Sequence, residues 1–202
     1  VRAGRVRFKH SRRRSMNAFE GFKYKDTVYD LTHLKPFVCE YIQASNSRGK
    51  PEKKYRCIVE FSTHCFTKGL NARKNETLAD FDSDLHYVTE KETRIFCFER
   101  YYVSLQLPEI MRKIDKHPCF FTSVDDKFLT VSLIGSDGKK VDYEIYFSLK
   151  KSNNKKYDIH IFINSAYIRD ENYGGVRPKR KKVSLFVLLH NTQTNRKIKR
   201  PK

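Results

Sequence analysis

Five side chains of the types that phosphate chemistry uses, His33, His64, Arg94, Arg100 and Tyr167, lie in β-rich stretches of this 202-residue chain. Imidazole transfers protons near neutral pH, and guanidinium and phenol groups stabilise charge that develops on phosphorus. In the run Tyr55 to Thr67, strand alternation puts Arg56, Glu60, Ser62 and His64 on one face. Glu60 and His64 are then two pleats apart, about 13 Å of rise, and cannot touch directly. This face reads either as an acid/base site with a basic neighbour for a phosphate, or as a polar edge facing solvent. Cys65 points the other way, so a nucleophilic Cys65 would need a different histidine. If the strand at Thr93 to Phe98 continues, Arg94, Phe96, Phe98 and Arg100 share a face. Arginine beside aromatic rings suits base stacking with phosphate contact; the alternative is that the rings are core and the arginines flank a sheet. Along Tyr157 to Ile168, the face of Ile159, Ile161 and Ile163 continues as Ser165, Tyr167 and Arg169. A core face that turns polar suits a phosphodiester site as well as it suits a sheet edge meeting solvent.

The charge is lopsided. The chain holds 42 Lys+Arg against 23 Asp+Glu, a formal +19. Residues 1–15 carry seven basic side chains and no acid, and residues 176–202 carry ten and no acid, so residues 16–175 are close to neutral at 25 against 23. Such concentration draws polyanions, because each phosphate neutralised releases condensed counterions. Candidate phosphate contacts are Arg169, the basic loop Arg177, Lys179, Arg180, Lys181 and Lys182, and Arg196 and Lys197 near the C-terminus. Five such contacts predict a salt slope of about −3.5 to −4.5. The same ends also read as solubilising tails, and residues 1–15 as sequence outside the domain that starts near Met16.

Several chemistries lack their motifs. There is no Gly-rich phosphate loop, no H-E-x-x-H, no carboxylate cluster of two-metal spacing and no G-x-S-x-G, so neither a metal nor another cofactor is expected. A nuclease built from these residues would use the RNA 2′-hydroxyl as nucleophile, which favours RNA over DNA as the partner. No apolar run approaches the ~20 residues of a membrane span, and no secretory leader is visible, so a cytoplasmic location without membrane association is expected. Cys39, Cys57, Cys65, Cys97 and Cys119 have no C-x-x-C spacing and read as buried free thiols.

Strand signals dominate the elements that must position these groups. They cover Pro36 to Gln43, Tyr55 to Thr67, Thr93 to Phe98, Lys127 to Ile134, Val141 to Leu149, Tyr157 to Ile168 and Val183 to Leu189. Residues 68–92 read as a long loop or lid. Ser104 to Lys116 is the best helix, with Leu107, Ile110 and Ile114 at helical spacing and Pro108 in its first turn. The sum is one α+β domain over residues 16–202: an antiparallel sheet with a C-terminal meander and one or two helices packed on one face.

Three strings carry a family resemblance. They are Tyr29-Asp30-Leu31-Thr32-His33-Leu34-Lys35-Pro36-Phe37, then Glu60-Phe61-Ser62-Thr63-His64-Cys65-Phe66-Thr67, then Asn164-Ser165-Ala166-Tyr167-Ile168-Arg169-Asp170 with Arg177-Pro178-Lys179. From Met16 onward the chain resembles small bacterial proteins labelled stationary-phase growth adaptation proteins, a label that implies no catalytic assignment. The order of a helix followed by an antiparallel meander is similar to that of the barnase, EndoU, colicin and RelE ribonucleases, a likeness of architecture only. Three functions remain open on this reading: a metal-independent, toxin-like ribonuclease; a non-catalytic nucleic-acid-binding protein; and a module that recognises an acidic protein partner or inhibitor.

Overall fold

Alternation builds the main sheet. In the computed structural model, which describes residues 19–45, 47, 49–121, 127–134, 140–168 and 181–198, every residue that the two longest strands turn to the core is apolar or a ring. Strand β1 spans Gly21–Tyr24, β2 Thr27–Asp30, β3 Phe37–Gln43, β4 Lys53–Phe61, β5 Thr67–Lys68, β6 His86–Val88 and β7 Thr93–Phe96. The helices α1, Phe98–Ser104, and α2, Leu107–Arg112, come next. Then come β8, Cys119–Phe121, β9, Lys127–Ile134, β10, Lys140–Lys151, β11, Ile159–Ile168, β12, Lys182–Val183, and α3, Leu185–Gln193. Seven strands pair in the order β12-β8-β9-β10-β11-β4-β3; β5-β7-β6 make a small sheet and β1-β2 a hairpin. All these pairs are antiparallel except β4 with β11. The architecture is the expected α+β type, with the helices against one face of the main sheet.

That face is the core. Tyr143, Ile145 and Phe147 of β10, Ile159, Ile161 and Ile163 of β11, and Tyr55, Cys57 and Val59 of β4 are all 0% exposed. Leu107, Met111 and Ile114 from the α2 region and Leu188 and Leu189 of α3 meet them. Burying one such side chain stabilises by about 1.5–3 kcal/mol. Tyr41 of β3 ties the sheet to the helices, its hydroxyl donating to the Met111 carbonyl at 2.6 Å. Among the described residues no helix is long and apolar enough to cross a membrane.

Three expectations are corrected. The strand expected over Val183 to Leu189 is β12 followed by α3: Leu185, Leu188 and Leu189 are the buried set, a helical i, i+3, i+4 spacing inside a run rich in β-formers. The helix expected over Ser104 to Lys116 is the last residue of α1, the short helix α2 with Pro108 in its first turn, and a 3₁₀ turn at Ile114–Lys116. The strand expected through Phe98 stops at Phe96, because α1 turns Tyr101 into a cluster of rings. Phe22 stacks on Phe96 at 4.1 Å, and Tyr29 meets Tyr101 edge-on at 5.2 Å. A lone hairpin such as β1-β2 is marginal in water, and these ring pairs, worth about 0.5–1.5 kcal/mol each, clamp it to β7 and α1.

Candidate functional site

The end of β4 is where the chain departs from simple alternation. The strand stops at Phe61, and Thr63–Cys65 form a 3₁₀ turn capped by Ser62. Ser62 extends the pairing with β11, its N–H donating to the Ile163 carbonyl at 2.9 Å. Its hydroxyl accepts from the His64 N–H at 3.2 Å and donates to the Asn164 carbonyl at 2.5 Å. Asn164 is the extra residue of a bulge: Phe147 faces Ile163, but Tyr146 faces Ser165. A bulge reverses the facing of the residues beyond it. Ala166 therefore takes the core side at 0% exposure, and Ser165 and Tyr167 turn away from the isoleucine face that strict alternation assigns to them.

Ser165 and Tyr167 open into a cavity of about 870 Å³ that is also lined by His64, Lys68, Arg73, Lys74, Glu76, Arg94 and Arg100. His64 does not pair with Glu60, which lies 2.8 Å from His160 Nε2 instead. His64 Nε2 meets Glu92 Oε1, in the turn between β6 and β7, at 2.7 Å. Arg94 NH1 donates to the other Glu92 oxygen at 3.1 Å, and Arg94 Nε donates to Thr67 Oγ1 at 2.7 Å. The hydrogen bond from His64, with the one from Arg94 and its charge, holds the Glu92 carboxyl below the usual carboxylate range despite a counteracting burial effect. Arg94 is 11% exposed in its side chain, so its guanidinium is fixed rather than waving in solvent. Arg100 NH1 donates to the carbonyls of His64 at 3.1 Å and Thr67 at 2.8 Å, and its guanidinium lies over the Tyr167 ring, 5.0 Å from the centroid. Tyr146 stacks against Tyr167 at 5.7 Å and donates its hydroxyl to the buried Glu144 at 2.7 Å.

The turn after β5 also lines the cavity. Asn71 caps a 3₁₀ turn over Ala72–Lys74, accepting from the Arg73 N–H at 3.1 Å, and Asn75 adopts a left-handed φ of 53°. Glu76 folds back, its Oε2 accepting from the Asn71 N–H at 2.9 Å. Lys68, Arg73, Lys74, Arg94 and Arg100 outnumber Glu76 on the lining, so the cavity is cationic. Such a site attracts oxyanions, and its one imidazole is placed beside them.

Of the expected catalytic residues, His64, Arg94, Arg100 and Tyr167 converge here. His33 does not line the cavity. It bridges the turn Thr32–Leu34 to α1, with Nε2 2.8 Å from Ser104 Oγ. Ser104 Oγ itself donates to the Tyr101 carbonyl at 2.7 Å, so His33 Nε2 is the donor of that pair. Burial lowers the His33 pKa below the usual value, with neighbouring Asp30 opposing the change.

The expected nucleic-acid contacts that fall among the described residues are dispersed. Arg169, Arg177, Lys179 and Arg180 lie outside the described residues. Lys182 sits on edge strand β12 with exposed Lys181 just before it, four strands away from β11 and so about 19 Å across the sheet. Arg196 and Lys197 lie just beyond α3, whose end is anchored where β4 and β11 begin: His190 Nδ1 is 3.4 Å from Lys53 Nζ, and Gln193 donates to Asp158 at 2.9 Å. The rise of β4 puts them about 25 Å from His64.

Sequence reasoning does not single out Glu92, Lys68, Arg73 and Lys74. They fall in the stretch 68–92 that reads as a lid, and only its density of charge hints at them. Cys65, one residue beyond His64, is fully buried, and burial pushes its thiol up to about 12. It is not a nucleophile at neutral pH. Among the described residues no three His, Cys, Asp or Glu side chains are grouped as a metal site requires.

Comparison with known proteins adds kinship. The profile of the YjaZ family matches residues 21–193. Protein YjaZ of Escherichia coli (strain K12) is 28% identical over 174 residues, covering 86% of this chain and 89% of the relative. No solved structure matches the chain.

Proposed function

The chain belongs to the YjaZ family, and for its cationic cavity we propose RNA as the ligand and metal-independent phosphodiester cleavage as the reaction. The observation that carries this reading is the convergence of His64, Arg94, Arg100 and Tyr167 on one open cavity. In the proposed step the RNA 2′-oxygen attacks the adjacent phosphorus. The bond from phosphorus to the 5′-oxygen breaks, leaving a 2′,3′-cyclic phosphate and a 5′-hydroxyl. Glu92 engages His64 Nε2, which leaves Nδ1 to take the 2′-hydroxyl proton; water in the open cavity protonates the departing oxygen. The guanidinium groups of Arg94 and Arg100 are already held in place, so they meet the charge developing on the phosphorane without reorganising first. Tyr167 offers a ring and a hydroxyl beside them. The setting would be the bacterial cytoplasm.

A binding-only version of this site has one observation in its favour: Glu92 pairs with both His64 and Arg94, so the cavity is partly neutralised in the absence of ligand. The two readings separate on one substitution. The protein is incubated with total RNA in EDTA beside His64→Ala. Catalysis requires the variant to lose ~10²–10⁴ in rate while still binding RNA. Absence of cleavage above the variant leaves binding alone, and absence of salt-sensitive RNA binding removes both readings.

A further inference from the structure

We infer that the turn at residues 71–76 is a second phosphate subsite, so that the ligand is a single strand of at least two consecutive phosphodiesters rather than one phosphate or a mononucleotide. This rests on the reading of the cavity as a phosphodiester site. Three observations carry it. First, a cavity of about 870 Å³ lies near the top of the range of ~300–1,000 Å³ for drug-sized ligands, far more than one phosphate fills. Second, the cations come from two separate groups. His64, Arg94 and Arg100 are joined through Glu92 and Thr67, whereas Arg73 and Lys74 belong to the turn over Ala72–Lys74. Third, the turn over Ala72–Lys74 is built to present free charge. Glu76, the acid that lines the cavity there, gives Oε2 to the Asn71 backbone, and Arg73 and Lys74 make no ion pair among the described residues.

The turn is also stiff enough to act as a subsite. The Asn71 cap, the left-handed Asn75 and the backbone bond from the Glu76 N–H to the Asn71 carbonyl at 3.2 Å fix its path. With one phosphate held between His64, Arg94 and Arg100, Arg73 and Lys74 of the same cavity remain to hold its neighbour. Recognition of this kind counts phosphates and does not read sequence.

The test uses thymidine oligodeoxynucleotides, which lack the 2′-hydroxyl and cannot be cleaved by the proposed step. Binding of dT2, with one internucleotide phosphate, and dT4, with three, is measured over a range of salt for the full chain and for Arg73→Ala/Lys74→Ala. The native protein should bind dT4 roughly fivefold more tightly than dT2, in line with two exposed ion pairs of ~0.2–1 kcal/mol each. The double variant should lose that preference with dT2 affinity little changed, and its salt slope for dT4 should fall by about 1.4, or 0.7 per single-strand phosphate contact. Equal weakening for both probes, or for neither, overturns the subsite, as does failure of both to bind. The nuclease reading is judged separately: intact RNA with the length preference present removes cleavage and leaves the subsite, whereas cleavage without a length preference does the reverse.

Discussion

Replacing Ser62 by alanine tests whether one hydroxyl sets both halves of the cavity. Ser62 Oγ caps the turn that carries His64 and holds the bulge carbonyl of Asn164, beyond which Ser165 and Tyr167 face the cavity. Losing a serine cap costs about 1 kcal/mol. Losing a hydrogen bond to a part-buried carbonyl costs about 1 kcal/mol more. The sum, about 2 kcal/mol, lowers Tm by ~4–8 °C in a domain of this size. Ser62→Thr keeps the oxygen and should recover most of that. Calorimetry of the three proteins reads the stability, and amide exchange at the His64 N–H reads the cap directly. Oligonucleotide affinity should fall in the alanine variant at temperatures where it is still fully folded, because His64 and Tyr167 lose their common anchor. An alanine variant that melts within about 1 °C of the native protein would refute the reasoning, as would a threonine variant no better than alanine.

Two further predictions rest on burial. The His33 pKa is lowered in the folded state, so the unfolded chain takes up a proton first as pH falls. Stability is then complete above the ordinary histidine value of about 6.5 and declines below it until the folded-state pKa is passed. Urea midpoints should therefore fall between pH 7 and pH 5, more steeply in the native protein than in His33→Gln, whose amide can still donate to Ser104; parallel profiles would show that His33 is not the cause. Cys57, Cys65 and Cys119 are buried, and the thiols of Cys65 and Cys119 are pushed up to about 12. A thiol reagent at pH 8 should label only the partly exposed Cys39 and Cys97 in the folded protein and all five cysteines in urea. Labelling of Cys65 at equal rates in both, read by mass spectrometry, would contradict the packing.

Much of the fold is legible in the sequence because burial and period agree. The strand Lys127 to Ile134 reads with the bounds it has, and the alternation of Tyr143, Ile145 and Phe147 marks the face that is buried. The failures are places where tertiary contacts outrank local propensity. Phe98 to Val103 is rich in β-formers, yet the ring cluster around Tyr101 makes it a helix. Leu185, Leu188 and Leu189 carry the helical period of α3, hidden among β-branched and aromatic neighbours. At the site, the residue types of His64, Arg94, Arg100 and Tyr167 are visible, but the geometry that joins them is not. Alternation points Ser165 and Tyr167 along the isoleucine face, and no local signal in Asn164 announces the bulge that turns them away. Glu92 is equally hidden, since its partner His64 is 28 positions away in sequence.

The same geometry changes what the net charge can explain. A formal +19 concentrated at the chain ends suggests that those ends grip the ligand. Yet Arg196 and Lys197 stand at the far end of β4, about 25 Å from His64 by strand rise. That is roughly three Debye lengths at physiological ionic strength. Their field steers a polyanion toward the molecule in dilute salt and contributes little to contact energy inside the cavity. Arg94 and Arg100 work differently. Some of their five N–H donors are given to Thr67, Glu92 and the carbonyls of His64 and Thr67, so the cavity's positive charge is held in place by the fold and persists where screening has silenced the tail. Affinity that survives at high salt therefore belongs to the fixed arginines of the cavity, and affinity that vanishes is shared between the ends and Arg73 and Lys74.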